Sequence, residues 1–220
     1  MNEDDVASYL AAHADFFDRH GELLHQIRLP DRFGGSAVSL AERQLALARD
    51  KARTLEGKLT ELIRYGTEND QISEKVHRLG VALQGASDLA AAVGVLHYHL
   101  QGDFAVPHMA VRIWGVGDGQ LADAAEFLSV PDTIKAFAGG LQQPYCGFAA
   151  GQESLAWFGE SAARIRSMAQ IPLREPGGGV CFGLLVVASE EEARFYPDMG
   201  VLFLTRIGDQ AGAALLRVVG

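Results

Sequence analysis

Along the first hundred positions apolar residues recur at helical spacing, and after Val106 the period changes to two. Val6, Tyr9, Leu10, Ala14 and Phe17 predict a helix ending near Phe17. Leu23, Leu24 and Ile27 place a second on residues 20 to 28. Pro30 and the Gly34-Gly35 pair then break the chain. Ser39 and Glu42 form the Ser-x-x-Glu pattern in which each side chain satisfies an amide of the same first turn, so a long helix is expected to start here and run to residue 84.

That helix is the dominant feature. At about 1.5 Å per residue, residues 39 to 84 span roughly 70 Å, whereas the residues after it would form a globule about 35 to 40 Å across. Half of the helix therefore needs another surface. Leu45, Ala52, Leu59 and Gly66 fall on one heptad position, and Ala48, Leu55, Leu62 and Asn69 on the position three later. Burying Leu45, Leu55, Leu59 and Leu62 contributes about 6 to 12 kcal/mol per chain, against an association cost of about 4 to 15 kcal/mol. A homodimer, parallel or antiparallel, is the expectation; the alternative is that the stripe packs on the chain's own N-terminal helices. Asn69 at a core-type position can set register by pairing with its twin, and Gly66 permits close approach or a kink. Beyond it the apolar set moves to Ile72, Val76, Leu79 and Leu83, marking the part that faces a globular domain.

After the Gly85-Ala86-Ser87 break, Leu89, Val93, Leu96 and Leu100 form the stripe of another helix over 88 to 100. Val106 to Trp114 alternates as a strand, Gly115 to Gly119 turns the chain, and 120 to 127 is expected to return as a second strand. Pro131 opens a short helix to residue 140, and 141 to 160 reads as irregular and aromatic-rich. Arg166 to Leu173 and Val180 to Ser189 are strands bridged by the Arg174-to-Gly179 turn, and Val201, Leu202, Leu204, Ile207, Ala211 and Leu215 mark a closing helix. These elements predict an α+β fold, an antiparallel sheet with helices packed on one face of it. It is preceded by N-terminal short helices (1–38) and a long connecting, dimerising helix (39–84), with the globular domain on 71–220.

Composition narrows the function classes. The 220 residues are 48% hydrophobic and 21% charged, an ordinary globular balance. With 28 acidic against 19 basic side chains, the formal charge of −9 opposes nucleic acid and anionic lipid. The basic residues of the long helix, Arg43, Arg49, Lys51, Arg53 and Lys58, are interleaved with Glu42, Asp50, Glu56 and Glu61, as on a solvated face. An acidic start without an apolar segment, and no apolar run near membrane length, point to the cytoplasm. Cys146 and Cys181 lack CxxC spacing and neighbouring histidines, as reduced structural thiols would.

Ser167-Met168-Ala169-Gln170-Ile171-Pro172-Leu173, Gly183-Leu184-Leu185-Val186-Val187-Ala188-Ser189, Phe195 and the Phe203-to-Leu215 helix occur in the order and spacing of a GAF domain, which residues 71–220 resemble. The whole chain resembles the bacterial domain-of-unknown-function family 484, through Val6-x-x-Tyr9-Leu10-x-x-His13-Ala14-Asp15-Phe16-Phe17, Glu22-Leu23-Leu24, Leu29-Pro30, Gly35 to Gln44, Pro144-Tyr145-Cys146-Gly147 and Trp157-Phe158-Gly159. Ala14 stands where that family commonly has Pro, and Asp31 where a His often follows the Leu-Pro, so no role of that His carries over. The resemblance implies a GAF-like sensory or regulatory fold, with no established activity. GAF domains commonly enclose a small molecule between the sheet and the loops over one face, here residues 127 to 160.

Phe127, Tyr145, Cys146, Phe148, Trp157 and Phe158 are the candidate ligand-binding residues, aromatic walls around a small organic effector; the competing reading is that the rings fill a core. Cys146 is also a candidate redox-responsive thiol. Arg112, Arg164, Arg166 and Arg174 could hold an anion, although strand arginines usually face solvent. The Asn-Lys cyclic-nucleotide signature of some GAF domains cannot be assembled, because Asn occurs only at positions 2 and 69. Gly115 to Gly119 precedes a strand rather than a helix, so it reads as a hairpin and not a phosphate loop. His97 and His99, two apart on a helix, cannot chelate one metal, and no nucleophile-base-orienter trio is placed together. The expectation is a non-enzymatic cytoplasmic regulator, dimeric through Leu45, Leu55, Leu59, Leu62 and Asn69, with a small-molecule ligand, no metal, no direct nucleic-acid contact and no membrane. The alternative is a ligand-free GAF-fold scaffold for protein-protein interaction. The family's gene neighbourhood, often beside a tyrosine recombinase, implies a DNA-associated partner for it.

Overall fold

The computed structural model describes residues 2–29, 38–116 and 124–220. The Pro30 and Gly34-Gly35 break, Asp31, most of the Gly115-to-Gly119 turn and the start of the strand predicted over 120 to 127 lie outside the described residues, as does the side chain of the predicted cap Ser39. The chain divides into two compact units, Met1–Thr67 and Glu68–Gly220.

In the first unit, α1 (Glu3–Ala12), α2 (Phe16–Arg19) and α3 (Glu22–Gln26) carry no buried residue. The single helix predicted as far as Phe17 breaks at His13, where the backbone leaves helical geometry. A ring cluster spans the break: His13 stacks on Tyr9 at 4.2 Å and Phe16 meets Tyr9 edge-on at 6.2 Å. β1 (Arg28–Leu29) and β2 (Val38–Ser39) form a two-residue antiparallel ladder that no sequence pattern announces. The long helix α4 is Leu40–Gln84.

The second unit begins on α4. Val76, Leu79 and Leu83 are buried, and the end of the helix is held by Arg217, whose Nη2 donates to the Leu83 carbonyl at 3.1 Å and the Ala86 carbonyl at 2.9 Å. The Leu83 carbonyl, in the last turn of α4, also accepts from the Ala86 amide at 3.2 Å, so Arg217 clamps the helix end to the turn that follows it. Helix α5 (Leu89–Gly102) is capped by Asp88, which accepts from the Ala91 amide at 2.8 Å. There follow β3 (His108–Ile113), α6 (Asp132–Gly140), β4 (Tyr145–Phe148), β5 (Ser167–Arg174), β6 (Cys181–Ser189) and α7 (Leu202–Val219). The strands form one sheet in the order β3-β6-β5-β4, antiparallel at each junction, so the expected α+β class is borne out. The described end of the strand predicted over 120 to 127 is instead a 3-10 turn, Ala125–Phe127, closed by the Phe127 amide on the Ala124 carbonyl at 2.9 Å. The β5–β6 hairpin turns through Gly177 and Gly178 at φ 83° and 80°, a region that side chains with a Cβ rarely enter.

Alternation along the central strands sends apolar side chains to both faces. Ala169, Ile171 and Leu173 of β5, with Leu185 and Val187 of β6, meet the foot of α4, α5 and α7. Met168, Leu184, Val186 and Ala188 face the other way, against Ile134 and Ala138 of α6 and against Ile165. Helices were expected on one face; the second is also covered, by α6 and by the 3-10 stretch Glu153–Ala163. Helix α7 comes close to β5 because its contact face is glycine: a Cβ at Gly208 would lie 2.5 Å from Cγ2 of Ile171, and one at Gly212 3.2 Å from the Arg174 carbonyl. Ile171 is β-branched and buried and cannot swing aside. Gly208→Val is therefore expected to lower stability by about 1 to 3 kcal/mol, read as a lower urea midpoint at unchanged slope.

Candidate functional site

The six candidate ligand residues do not form one wall. Alternation on β4 places Tyr145 with Gly147 on one face and Cys146 with Phe148 on the other; Tyr145 pairs with Gln170, whereas Cys146 is buried in the helix-side core. Phe148 is exposed, beside Tyr196 and Pro197. Phe127 packs on the helix-side core from its 3-10 turn. Trp157 and Phe158 cover the β3 side of the opposite face, Trp157 under the Arg112 guanidinium at 5.1 Å and Phe158 edge-on to His108 at 6.2 Å. The 3-10 stretch that carries them kinks at Gly159, φ 53° and ψ −127°.

Tyr145 borders a polar cradle that the aromatic pattern does not reveal. Gln170 is buried at the centre of the sheet and points to the α6 side. Its Nε2 donates to Oε1 of Gln152 at 2.9 Å, and its Oε1 accepts from Oγ of Ser154 at 2.9 Å. Nε2 of Gln152 in turn donates to the Tyr145 hydroxyl at 3.2 Å, and the Thr133 hydroxyl donates to Oε2 of Glu153 at 2.6 Å. Gln170, Gln152, Ser154, Thr133 and Glu153, with Ile134, Phe137 and Gly151, line a cavity of about 180 Å³, and Tyr145 stands behind Gln152 rather than in its wall. At the roughly 30 Å³ that a water occupies in the liquid, it holds about half a dozen non-hydrogen atoms. Its polar lining is mostly amide and hydroxyl, groups that orient a ligand by hydrogen bonding rather than exchange protons near neutrality. In the sequence, Gln170 is the polar residue inside an otherwise apolar strand, and that contrast is the cue that could have found it.

A family model described as "Protein of unknown function, DUF484" matches residues 1–215. The chain belongs to the DUF484 family. No curated protein matches it. Among solved structures, the GAF domain of A. aeolicus nlh2 in an inactive state is similar at 14% identity and a TM-score of 0.46, over 66% of this chain and 96% of that one.

The remaining polar candidates of this DUF484 chain are engaged separately. Arg174 donates to the carbonyls of Gly139 at 2.7 Å and Leu141 at 3.0 Å, tying α6 to the hairpin. Arg164 pairs with Glu190 at 3.1 Å, Arg112 lies over Trp157, and Arg166 is exposed, so the four arginines do not converge. His99 pairs with Asp103 at 2.6 Å. Among the described residues no group of three His, Cys, Asp or Glu is placed to hold a metal, and no described helix is long and apolar enough to cross a membrane.

On α4 the leucine stripe faces solvent: Leu45 is 49% exposed, Leu55 56%, Leu59 58% and Leu62 65%. Ile63, which the heptad does not include, adds another exposed apolar side chain beside Leu59 and Leu62, and Asn69 is also exposed. The N-terminal helices α1 to α3 carry no buried residue, and the stripe leucines stay about half exposed or more.

Two outcomes check the cradle and the thiol. Gln170→Leu leaves the Ser154 hydroxyl and the Gln152 carbonyl without their partner, and a loss of about 1 to 3 kcal/mol is expected in urea unfolding; an unchanged midpoint would show the network to be idle. Burial pushes the Cys146 thiol up to about 11, so about one part in 10⁴ is thiolate at pH 7. An aromatic disulfide reagent is then expected to leave Cys146 unlabelled in the folded chain and to label it after unfolding, as read by peptide mass spectrometry.

Proposed function

We propose that this chain is a non-enzymatic regulatory protein of the cytoplasm, dimeric through α4, with a small organic effector in the cavity over Gln170. The observation that carries the reading is the division of labour along one helix: Leu45, Leu55, Leu59 and Leu62 are solvent-exposed, while Val76, Leu79 and Leu83 of the same helix are buried in the sheet domain's core. A monomeric soluble protein gains nothing from an exposed leucine stripe, and a second copy of the helix removes it from water by knobs-into-holes packing. A domain that shares its core with a dimerising helix is suited to regulation. The resemblance of residues 71–220 to GAF domains, and the hydrogen-bonding lining of the Gln170 cavity, support an effector there.

A scaffold that holds no ligand is the competing reading, and one observation favours it: both ends of the Gln170 amide are already satisfied within the chain. Native mass spectrometry of freshly purified full-length protein separates the two. A dimer mass is expected, carrying an added small-molecule mass under the effector reading and none under the scaffold reading. The Leu55→Asp, Leu62→Asp variant is expected to be monomeric at the same concentration with unchanged circular dichroism; monomers for both proteins would remove the dimer from the proposal.

A further inference from the structure

The helix-side face of the sheet holds a larger cavity, separate from the cradle over Gln170. About 340 Å³ in volume, it is lined by residues of α4, α5, β6 and α7, and by the segments between α5 and β3 and between β6 and α7. Phe104, Phe195, Phe203 and Ile207 are among its walls, and the charged residues among the described ones that line it are both cations, Lys75 and Arg194. Each cation is stationed at an aromatic wall. Nζ of Lys75 is 5.9 Å from the centre of the Phe104 ring, and the Arg194 guanidinium carbon is 5.4 Å from that of Phe195. Arg194 is further anchored by Nη2, which donates to the Phe104 carbonyl at 2.8 Å. A guanidinium has five N–H donors, so this bond leaves others for a ligand. The acid that feels the Lys75 charge, Asp103, is engaged by His99 at 2.6 Å and Arg78 at 3.1 Å.

An apolar chamber with two cations and no carboxylate among its described lining residues, in a chain of formal charge −9, selects for one kind of guest. We propose that this cavity binds a medium-chain monocarboxylate, its hydrocarbon tail among the phenylalanines and its carboxylate between Lys75 and Arg194. At roughly 30 Å³ per water-sized atom, the volume admits about a dozen non-hydrogen atoms, the size of decanoate. Tail burial supplies affinity without direction, and the charge-assisted hydrogen bonds orient the head. The site is independent of the Gln170 cavity and of dimer formation.

Isothermal titration calorimetry of the full-length chain with decanoate and with 1-decanol tests it without any variant: decanoate is expected to bind about tenfold or more tightly, because the alcohol fills the same chamber and leaves the cations without a counter-charge. Lys75→Glu is expected to weaken decanoate about tenfold while leaving 1-decanol within about twofold, and unchanged alcohol binding also reports that the variant is folded. Repeating the titration on the Leu55→Asp, Leu62→Asp variant is expected to give the same affinity, which keeps this site distinct from the dimer. The proposal is overturned by no decanoate binding, by equal affinity for the two compounds, or by a folded Lys75→Glu variant that binds decanoate as the parent does.

Discussion

Two-sided burial of β5 and β6 is the constraint from which the rest of the second unit follows. Phe182 to Ser189 of β6 is buried at every position, and β5 is buried at all but Pro172 and Arg174. A strand with apolar side chains on both faces cannot leave either to water, so the sheet needs two covers. The foot of α4, α5 and α7 supply one, close enough to β5 that Gly208 and Gly212 have no room for a side chain. The other is thinner: a nine-residue helix and a kinked 3-10 stretch. Each cover leaves a cavity, one lined by amides and hydroxyls against Gln170, the other by phenylalanines and two cations.

The elements that could be read from the chain are those whose apolar pattern repeats. Leu45 to Leu62 repeats for several turns and Gly85 follows the end of the helix, so α4 was legible to within a residue or so. Val180 to Ala188 is an unbroken apolar run next to a turn of three glycines, which is what a strand buried on both faces looks like. What could not be read has no period. The 3-10 turn at Ala125–Phe127 is too short to show one, and the break at His13 coincides with ring contacts of Tyr9 with His13 and Phe16 that spacing does not encode. The candidate aromatic residues lie on different faces for a simpler reason. Residues 141 to 160 read as irregular, yet Tyr145–Phe148 is a strand, and two residues three apart on a strand face opposite ways. The rings are visible in the sequence, but their faces are set by the strand.

Neither cavity was marked by the residues that drew attention in the sequence. Lys75 and Arg194 are far apart along the chain and surrounded by other charges, and what distinguishes them is that α4 and the segment after β6 bring both to the same chamber. Cys146, which looked reactive beside Tyr145 and Gly147, is instead part of the packing, its thiol neutral because burial disfavours the thiolate. Chemistry that depends on several elements meeting is invisible to spacing along one element. Chemistry that depends on one residue's surroundings is easily misjudged without them.

Gln170 has a consequence beyond the cavity it borders. On β5 the neighbours Ala169 and Ile171 turn to the helix side, so sliding the strand by one position would carry the glutamine amide into a core of leucine, valine and phenylalanine, away from Ser154 and Gln152. An apolar residue at that place would tolerate either alignment far better, because both faces of the sheet accept hydrocarbon. The buried amide of Gln170 thus makes the wrong alignment costly in a sheet whose central strands are otherwise nearly indifferent to which way up they lie.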